Sequence, residues 1–384
     1  MQEDVDGDRN FKDVRTIKDF YLQLSALYGD KLNDGNDTIV FIDEIQVYPN
    51  LLSLLKPLKR DGKYRYIASG SMLGTAPKHQ FISMGSISEV KMYPMDFEEF
   101  LLASGTGDEA VAYLRECFNG LLPIKDSIHA CMLRKFKEYL ICGGLPAAVK
   151  EFLGDNVLKT RNLQSSIYGY YKGDASKYDQ LNKLKICRIY DYLPSCMENK
   201  VKRVQFKGIE KKTNANLSSY QDEFEYLMSS GIALGVKAVA NPVYPLAETS
   251  SKNLIKLCYN DVGILTNILY KNNINAILNS NSNVNLGSVY ETACAMELKA
   301  HGHDLYYFDR KKVGEVDFLI NDYDSLSIVP IEVKSGNDQY NFRAIPKLVK
   351  EPYNLEKGYV FGNENAVRKK DGLLTYPVYM IMFL

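Results

Sequence analysis

Three polar residues in the last third of the chain have the types and spacing of a hydrolytic site that uses a metal ion. Asp317 lies late in the apolar run 314–320, and Glu332 and Lys334 close the apolar run 328–334. Because residues two apart in a strand face the same side, Glu332 and Lys334 are predicted to project together, beside Asp317 across a hairpin. Two carboxylates can hold a Mg²⁺ ion that polarises a scissile phosphate, and the lysine can orient or activate the attacking water.

This order of residues resembles the PD-(D/E)xK nuclease fold. The resemblance implies that Glu291, on the predicted helix before the hairpin, is a further metal ligand. Glu315 lies two residues before Asp317 and is predicted to share its face, which makes it another candidate ligand. The competing interpretation is an ordinary solvated hairpin with an ion pair between residues two apart. A fold resemblance by itself leaves open whether the domain cuts anything.

A second pair of acids lies near the start of the chain. The stretch Thr-Ile-Val-Phe-Ile-Asp-Glu-Ile-Gln (38–46) carries four apolar residues directly into Asp43 and Glu44. A continuous apolar run of this kind predicts a strand buried on both faces of a parallel sheet. In nucleotide hydrolases with a P-loop, the first acid helps to hold Mg²⁺ and the second orients the attacking water. The alternative is a buried strand that ends in acids at a solvated turn.

The elements around Asp43 and Glu44 predict a β–α–β unit with parallel strands. A leucine-rich helix follows the acids, a second strand (64–71) ends in Ser69 and Ser71, and a Tyr-Pro-Met-Asp-Phe-Glu-Glu-Phe-Leu segment (93–101) comes later. This arrangement resembles the AAA-type ATPases of bacteria and archaea that carry domain of unknown function 4143 at their C-terminus. The resemblance implies ATP and Mg²⁺ as cofactors. It also implies that Ser69 or Ser71 contacts the γ-phosphate, whereas the alternative for both serines is a strand-to-loop turn.

The sequence departs from this family at the phosphate-binding loop. No G-x-x-x-x-G-K-S/T motif occurs in the 384 residues. A P-loop needs glycines for close backbone approach, a lysine for the β- and γ-phosphates and a hydroxyl for Mg²⁺. In addition, Ser86 stands where relatives often carry a basic residue. The resemblance implies that the P-loop would precede Met1, so ATP binding by this chain is expected to be lost or to be completed by another chain.

The middle of the chain predicts two further modules. Helical spacing ends at Gly-Gly-Leu-Pro (143–146), which resembles the signature after the helical lid of this family. A helix, a basic turn, a second helix and a strand pair then follow, which is a winged-helix pattern. The segment 200–207 is rich in lysine and arginine and is a candidate DNA contact, because such charges attract phosphates without reading sequence. The second helix carries three acids and no basic residue, so a role in packing or protein contact is equally open.

Bulk composition restricts the remaining choices. Lysine plus arginine equals aspartate plus glutamate, at 47 each, so net charge does not favour nucleic acid or membrane partners. The seven scattered cysteines show no zinc-ligand spacing and are typical of reduced cytoplasmic thiols. No apolar run is long enough to predict a membrane span, and the N-terminus does not have the pattern of a signal peptide. The sequence therefore predicts a cytoplasmic protein without a membrane partner.

We interpret the chain as a multidomain α/β protein with four modules. They are predicted to be a partial P-loop AAA-type core (1–104), a helical lid (105–178), a winged helix (179–262) and a PD-(D/E)xK nuclease-like domain (263–384). The function this predicts is that of an AAA-type ATPase family fused to a nuclease-like domain that acts on or near DNA. Two alternatives stay open: a regulatory or scaffold protein with a degenerate ATPase core, and a Mg²⁺-dependent nuclease that needs no ATP. An oligomer or a partner chain would supply the missing elements of the nucleotide site.

Overall fold

The computed structural model describes residues 10–32, 37–70, 87–178, 183–198, 209, 220–279, 284–336, 344–349, 353 and 355–384. The chain divides into two compact units, residues 1–91 and residues 92–384. Ser71, Ser86 and the basic segment 200–207 lie outside the described residues. The four module boundaries predicted from the sequence stay predictions.

The first unit is built on a β–α–β motif. Strand β1 (Ile39–Ile42) runs parallel to β2 (Arg65–Ala68), and helix α2 (Pro49–Asp61) connects them. Helix α1 (Ile17–Tyr28) precedes the motif and begins at a capping box made by Thr16. The parallel pairing confirms the arrangement predicted from the sequence, and it brings the C-terminal ends of the two strands together.

The prediction that β1 is buried on both faces is wrong. Ile39 and Phe41 are each 57% exposed, and Ile67 on the neighbouring strand is 51% exposed. The hydrophobic core described in this unit lies on the other face, where Val40 and Ile42 contact the helices. An apolar run shows only that a strand has two apolar faces, whereas burial also requires a layer of structure on each side.

The second unit contains helices and a mixed sheet. Its helices are α3 (Phe97–Ala103), α4 (Asp108–Gly120), α5 (Asp126–Cys142), α6 (Pro146–Leu153), α7 (Val157–Tyr178), α8 (Lys183–Glu198), α9 (Gln221–Ser229), α10 (Val262–Tyr270), α11 (Asn275–Leu278), α12 (Gly287–Ala300) and α13 (Ile345–Val349). Its strands are β3 (Ala233–Val239), β4 (Ser250–Tyr259), β5 (Tyr306–Arg310), β6 (Gly314–Asp322), β7 (Ser327–Val333), β8 (Gly358–Gly362), β9 (Arg368–Lys370) and β10 (Leu373–Pro377). A 3₁₀ helix over 378–383 follows the last strand.

These eight strands form one sheet in the order β4-β3-β5-β6-β7-β8-β10-β9. Strands β6 and β7 form an antiparallel hairpin, and β7 pairs in parallel with β8. Strand β8 is fully buried, as is most of β7, because α12 covers one face of the sheet and α13 the other. The α/β class predicted from the sequence is therefore confirmed, with a mixed sheet at its centre.

The strand pair predicted as part of a winged helix belongs to this same sheet. Strands β3 and β4 form an antiparallel pair after α8 and α9, in the predicted order. Strand β3 also pairs in parallel with β5, so the pair extends the C-terminal sheet by two strands. The winged-helix assignment itself stays a prediction.

The Gly-Gly-Leu-Pro segment joins the helical region to α10. Gly143 ends α5 with a φ of +70°, and a Cβ at this position would lie 2.3 Å from the carboxylate oxygens of Asp261. The backbone N–H of Gly144 donates to Asp261 Oδ2 at 2.7 Å. Asp261 also caps α10 by accepting from the backbone N–H of Ile264 at 2.9 Å. The two glycines therefore allow a close contact between backbone and a buried carboxylate.

Candidate active site

Asp317 and Glu332 lie opposite each other at one end of the β6–β7 hairpin. The register pairs Phe318 with Ile331, so the next position along the ladder places Asp317 beside Glu332. Each of the two acids is only 7% exposed. Asp317 is held in place because its Oδ2 accepts a hydrogen bond from the backbone N–H of Val333 at 2.9 Å. The hairpin thus brings two carboxyl groups together in a largely buried position.

Lys334 joins these acids from the end of β7. Its Nζ lies 2.6 Å from Oε1 of Glu332, and its own backbone N–H donates to the carbonyl of Phe361 at 2.8 Å. The side chain of Lys334 is about one quarter exposed, whereas that of Glu332 is buried. The structure therefore gathers Asp317, Glu332 and Lys334 into one cluster that opens to solvent on the lysine side.

One oxygen of this cluster has no hydrogen-bond partner among the described residues. It is Oε2 of Glu332, which is buried while the other oxygen of the same carboxyl group contacts Lys334. A buried polar atom without a partner costs free energy, on the order of 1–3 kcal/mol. Such an atom indicates either a protonated acid or a position for a bound group.

The electrostatic environment of Glu332 is unfavourable for a charged carboxylate. Its pKa is raised from 4.5 to about 8, first because burial removes water and then because Asp317 places a negative charge nearby. The ammonium of Lys334 lowers this pKa but does not outweigh the other two effects. At neutral pH without a bound cation, Glu332 therefore holds a proton for most of the time.

Glu291 approaches the cluster from helix α12. It is buried in the second turn of the helix, and its negative charge also raises the pKa of Glu332. Among the described residues, no group of three or more His, Cys, Asp or Glu side chains is close enough to hold a metal ion. Asp317 and Glu332 remain as two oxygen donors, and Mg²⁺ is commonly held by one or two carboxylates together with water and substrate phosphates. The residues present therefore fit Mg²⁺ better than a metal that needs a complete protein cage.

Glu315 does not join Asp317, although the sequence predicts a shared face. The β5–β6 pairing shifts register between Phe308↔Val316 and Tyr306↔Leu319, which adds one residue to β6 and interrupts the alternation of faces. Glu315 instead forms an ion pair with Lys256 on β4.

A polar residue that the sequence analysis missed lies next to the cluster. Asn363 follows β8, and its amide donates to the carbonyl of Ser335 at 2.7 Å and accepts from the hydroxyl of Tyr290 at 3.0 Å. Ser335 directly follows Lys334, and Tyr290 directly precedes Glu291. The only sequence signal for Asn363 is its position at the carboxyl end of a buried strand, where polar side chains often serve a site.

The acids of the first unit form a different arrangement. Asp43 Oδ1 accepts from the hydroxyl of Ser69 and from the backbone N–H of Glu44, the latter at 3.1 Å. Glu44 has a φ of 52°, in the left-handed region, and its carboxylate accepts from the side chain of Gln46. The ends of β1 and β2 therefore bring Asp43, Glu44 and Ser69 together, as expected for neighbouring parallel strands.

Two histidines near the end of α12 have structural contacts. Nε2 of His301 lies 3.5 Å from Oδ2 of Asp96, and the hydrogen bond to Asp96 raises the pKa of the imidazole. His303 contacts the carbonyl of Leu384 at 3.2 Å. Each ring therefore has a protein partner in the structure.

Three segments of the chain match family models. Residues 4–101 match an AAA domain, residues 133–275 match a domain of unknown function, DUF8612, and residues 286–381 match a domain of unknown function, DUF4143. No curated protein and no solved structure matches the chain. The chain therefore combines an AAA domain with a C-terminal DUF4143 domain, which is the order predicted from the sequence. Within the described residues, no helix is long and apolar enough to cross a membrane.

Proposed function

We propose that the C-terminal domain is a Mg²⁺-dependent phosphodiesterase of the PD-(D/E)xK type that acts on DNA and is coupled to the AAA domain. The observation that carries this proposal is the buried Oε2 of Glu332, which has no partner among the described residues and lies beside a second carboxylate. Asp317 and Glu332 would hold a divalent cation, whose charge would offset the repulsion between the acids and the cost of burying them. Bound Mg²⁺ supplies Lewis-acid polarisation of a scissile phosphate.

The side chains of the cluster have separate roles in binding the cation and the substrate. Asp317 is oriented by the backbone N–H of Val333, which fixes its carboxyl group at the end of the hairpin beside Glu332. Lys334 reaches the solvent side of the cluster, where its ammonium can orient an attacking water and stabilise negative charge on a phosphate. Glu291 adds a third negative charge on the helix side, which strengthens the attraction for a cation.

Two features of the chain support DNA as the substrate. The cluster fits a phosphodiester, and the basic segment 200–207 offers charges that bind nucleic acid phosphates. Coupling to the AAA domain is supported by their presence in one chain. A regulatory or scaffold protein that binds DNA without cutting it is the alternative, and cleavage assays separate the two.

The test measures cleavage of plasmid and linear DNA in the presence of Mg²⁺ or Mn²⁺ and in its absence. We expect cleavage by the wild-type chain and a loss of about 100-fold or more in Asp317→Asn and Lys334→Ala, because each removes one member of the cluster. Asp324→Asn is the matched control, since it alters an exposed acid in the turn at the opposite end of the same hairpin. Cleavage that survives Lys334→Ala would contradict the assignment of nuclease activity to this cluster.

We also propose that Asp43, Glu44 and Ser69 form half of a nucleotide site. Asp43 would help to hold the Mg²⁺ of ATP, Glu44 would orient the attacking water and Ser69 would contact the γ-phosphate. The contacts of Asp43 with Ser69 and with the backbone of Glu44 support this proposal, because they gather the three side chains at the ends of parallel strands. Binding of a fluorescent ATP analogue is expected only after a segment with a P-loop is added, and Asp43→Asn should then weaken it. Tight binding by the present chain would overturn this view.

A further inference from the structure

One amide side chain connects the strand end that carries Glu332 and Lys334 with the helix that carries Glu291. The Nδ2 of Asn363 donates to the carbonyl of Ser335 at 2.7 Å, and its Oδ1 accepts from the hydroxyl of Tyr290 at 3.0 Å. Ser335 continues the chain from Lys334, and Tyr290 precedes Glu291 on α12. Asn363 itself follows β8, the strand that pairs with β7.

The Ser335 contact fixes the chain just beyond the end of β7. The ladder between β7 and β8 ends with the backbone N–H of Lys334 donating to Phe361 at 2.8 Å. The bond from Asn363 to Ser335 continues this attachment by one residue, so the chain is attached at Lys334 to β8 and at Ser335 to the residue that follows β8. A lysine on a backbone held at both ends has fewer positions for its ammonium, which lies 2.6 Å from Glu332.

The Tyr290 contact fixes the helix that carries Glu291. The ring of Tyr290 is fully buried, and its hydroxyl is the group that reaches Asn363. Because Glu291 is the next residue, the rotation of α12 about its axis that places Glu291 also places this hydroxyl. The amide thus sets the position of the helix relative to the strand end.

The side-chain amide satisfies both contacts at once. The carbonyl of Ser335 needs a hydrogen-bond donor, and the hydroxyl of Tyr290 donates to an acceptor. The amide of Asn363 offers a donor nitrogen and an acceptor oxygen on the same carbon. An aspartate at this position has the same shape but no donor, so it would place a negative oxygen against the Ser335 carbonyl. Asn363→Asp therefore changes the hydrogen bonding while it conserves the volume of the side chain.

We propose that Asn363 is a positioning residue, which sets the position of Lys334 relative to Glu291 by joining Ser335 to Tyr290. This inference rests on the proposed phosphodiesterase function for its role in the reaction, while the connection itself can be tested without the reaction. Residues that hold the metal-binding groups in place typically change metal affinity or activity by 10- to 100-fold when they are replaced.

Asn365 provides a matched control in the same loop. Its Nδ2 donates to the carbonyl of Ile124 at 2.9 Å and to Asp126 Oδ1 at 2.6 Å, so it attaches the loop to the start of α5 instead of to the site. Asn365→Asp also converts a donor to an acceptor, and it does so beside an existing carboxylate. The control should therefore lower the thermal stability at least as much as Asn363→Asp does.

The experiment compares wild-type protein, Asn363→Asp, Tyr290→Phe and Asn365→Asp in three measurements. The first is amide hydrogen exchange of the metal-free protein in peptides that cover 330–336 and 287–293. The second is Mn²⁺ affinity by electron paramagnetic resonance, and the third is kcat and KM for DNA cleavage. We expect Asn363→Asp to raise exchange in both peptides, to weaken Mn²⁺ binding by 10- to 100-fold and to lower kcat more than it raises KM. Tyr290→Phe should affect mainly the 287–293 peptide.

Each outcome decides a separate question. If Asn363→Asp changes exchange and Mn²⁺ affinity no more than Asn365→Asp does, the positioning role is overturned and Asn363 is only one of several loop attachments. If the wild-type protein neither binds Mn²⁺ nor cleaves DNA, the proposed function fails. Hydrogen exchange in the metal-free protein then decides whether Asn363 still joins the two segments. Should Asn363→Asp fail to fold, Tyr290→Phe gives the same decision from the other end of the connection.

Discussion

The two acid pairs of this chain look alike in sequence but differ in their surroundings. Asp43 and Glu44 lie at a turn and have hydrogen-bond partners in Ser69, Gln46 and the backbone. Asp317 and Glu332 are buried, and one oxygen of Glu332 has no partner among the described residues. The first pair therefore has protein partners at a partly exposed turn, whereas the buried Oε2 of Glu332 lowers the stability of the fold until a proton or a cation compensates it.

The largest expected effect is on the pH dependence of stability. Since the pKa of Glu332 in the folded state is about 8, against 4.5 in the unfolded chain, the folded state binds more protons between these values. The contribution of Glu332 is fully present below pH 4.5 and is lost as the pH rises to about 8, by up to about 1.4 kcal/mol per pH unit. Urea unfolding of the wild type and Glu332→Gln at pH 5, 6.5 and 8 measures this slope. An equal slope in both proteins would show that Glu332 ionises normally.

A smaller effect is expected from divalent cations. At 100 times its dissociation constant, Mn²⁺ should stabilise the second unit by about 2.7 kcal/mol at pH 8, because it binds the folded state alone. Glu332→Gln should abolish this stabilisation, while Asp43→Asn should retain it. Thermal unfolding with and without Mn²⁺ makes the comparison. If Asp43→Asn lost the stabilisation by Mn²⁺, the cation would bind at Asp43 and Glu44 rather than at Asp317 and Glu332.

The smallest expected effect concerns the first pair. Asp43→Asn keeps an oxygen that can accept from Ser69, and the hydrogen bond it weakens is exposed. We expect a change of less than about 1 kcal/mol in the free energy of unfolding, because exposed polar contacts contribute little. Denaturant unfolding followed by hydrogen exchange in residues 38–46 measures it. A loss of several kcal/mol would mean that this pair is structural rather than poised for a ligand.

The parts of the site that the sequence predicts depend on local geometry. Glu332 and Lys334 are two apart in a strand, so their contact follows from the alternation of side chains. Asp317 is connected to them by a short turn, which limits the registers that the hairpin can adopt. The β–α–β unit around Asp43 was likewise predictable, because its strands and helix are adjacent in the sequence.

The parts that the sequence does not predict depend on distant segments. The register shift opposite Val316 arises from the pairing of β5 with β6, and the partner of Glu315 is Lys256, 59 residues away. Asn363 contacts Tyr290 across 73 residues. One face of β1 is exposed because no layer of the described structure covers it, and an apolar run in the sequence does not indicate how many layers surround a strand.

The parallel pairing of β3 with β5 has a consequence for how such proteins can change over time. The match to DUF8612 ends at residue 275 and the match to DUF4143 begins at residue 286, yet strands from both segments share one hydrogen-bonded sheet. A recombination between the two segments would leave β5 as an open edge of the sheet, and open edges favour aggregation. The two segments should therefore be inherited together, as a single exchangeable piece whose borders do not coincide with the borders of the family models.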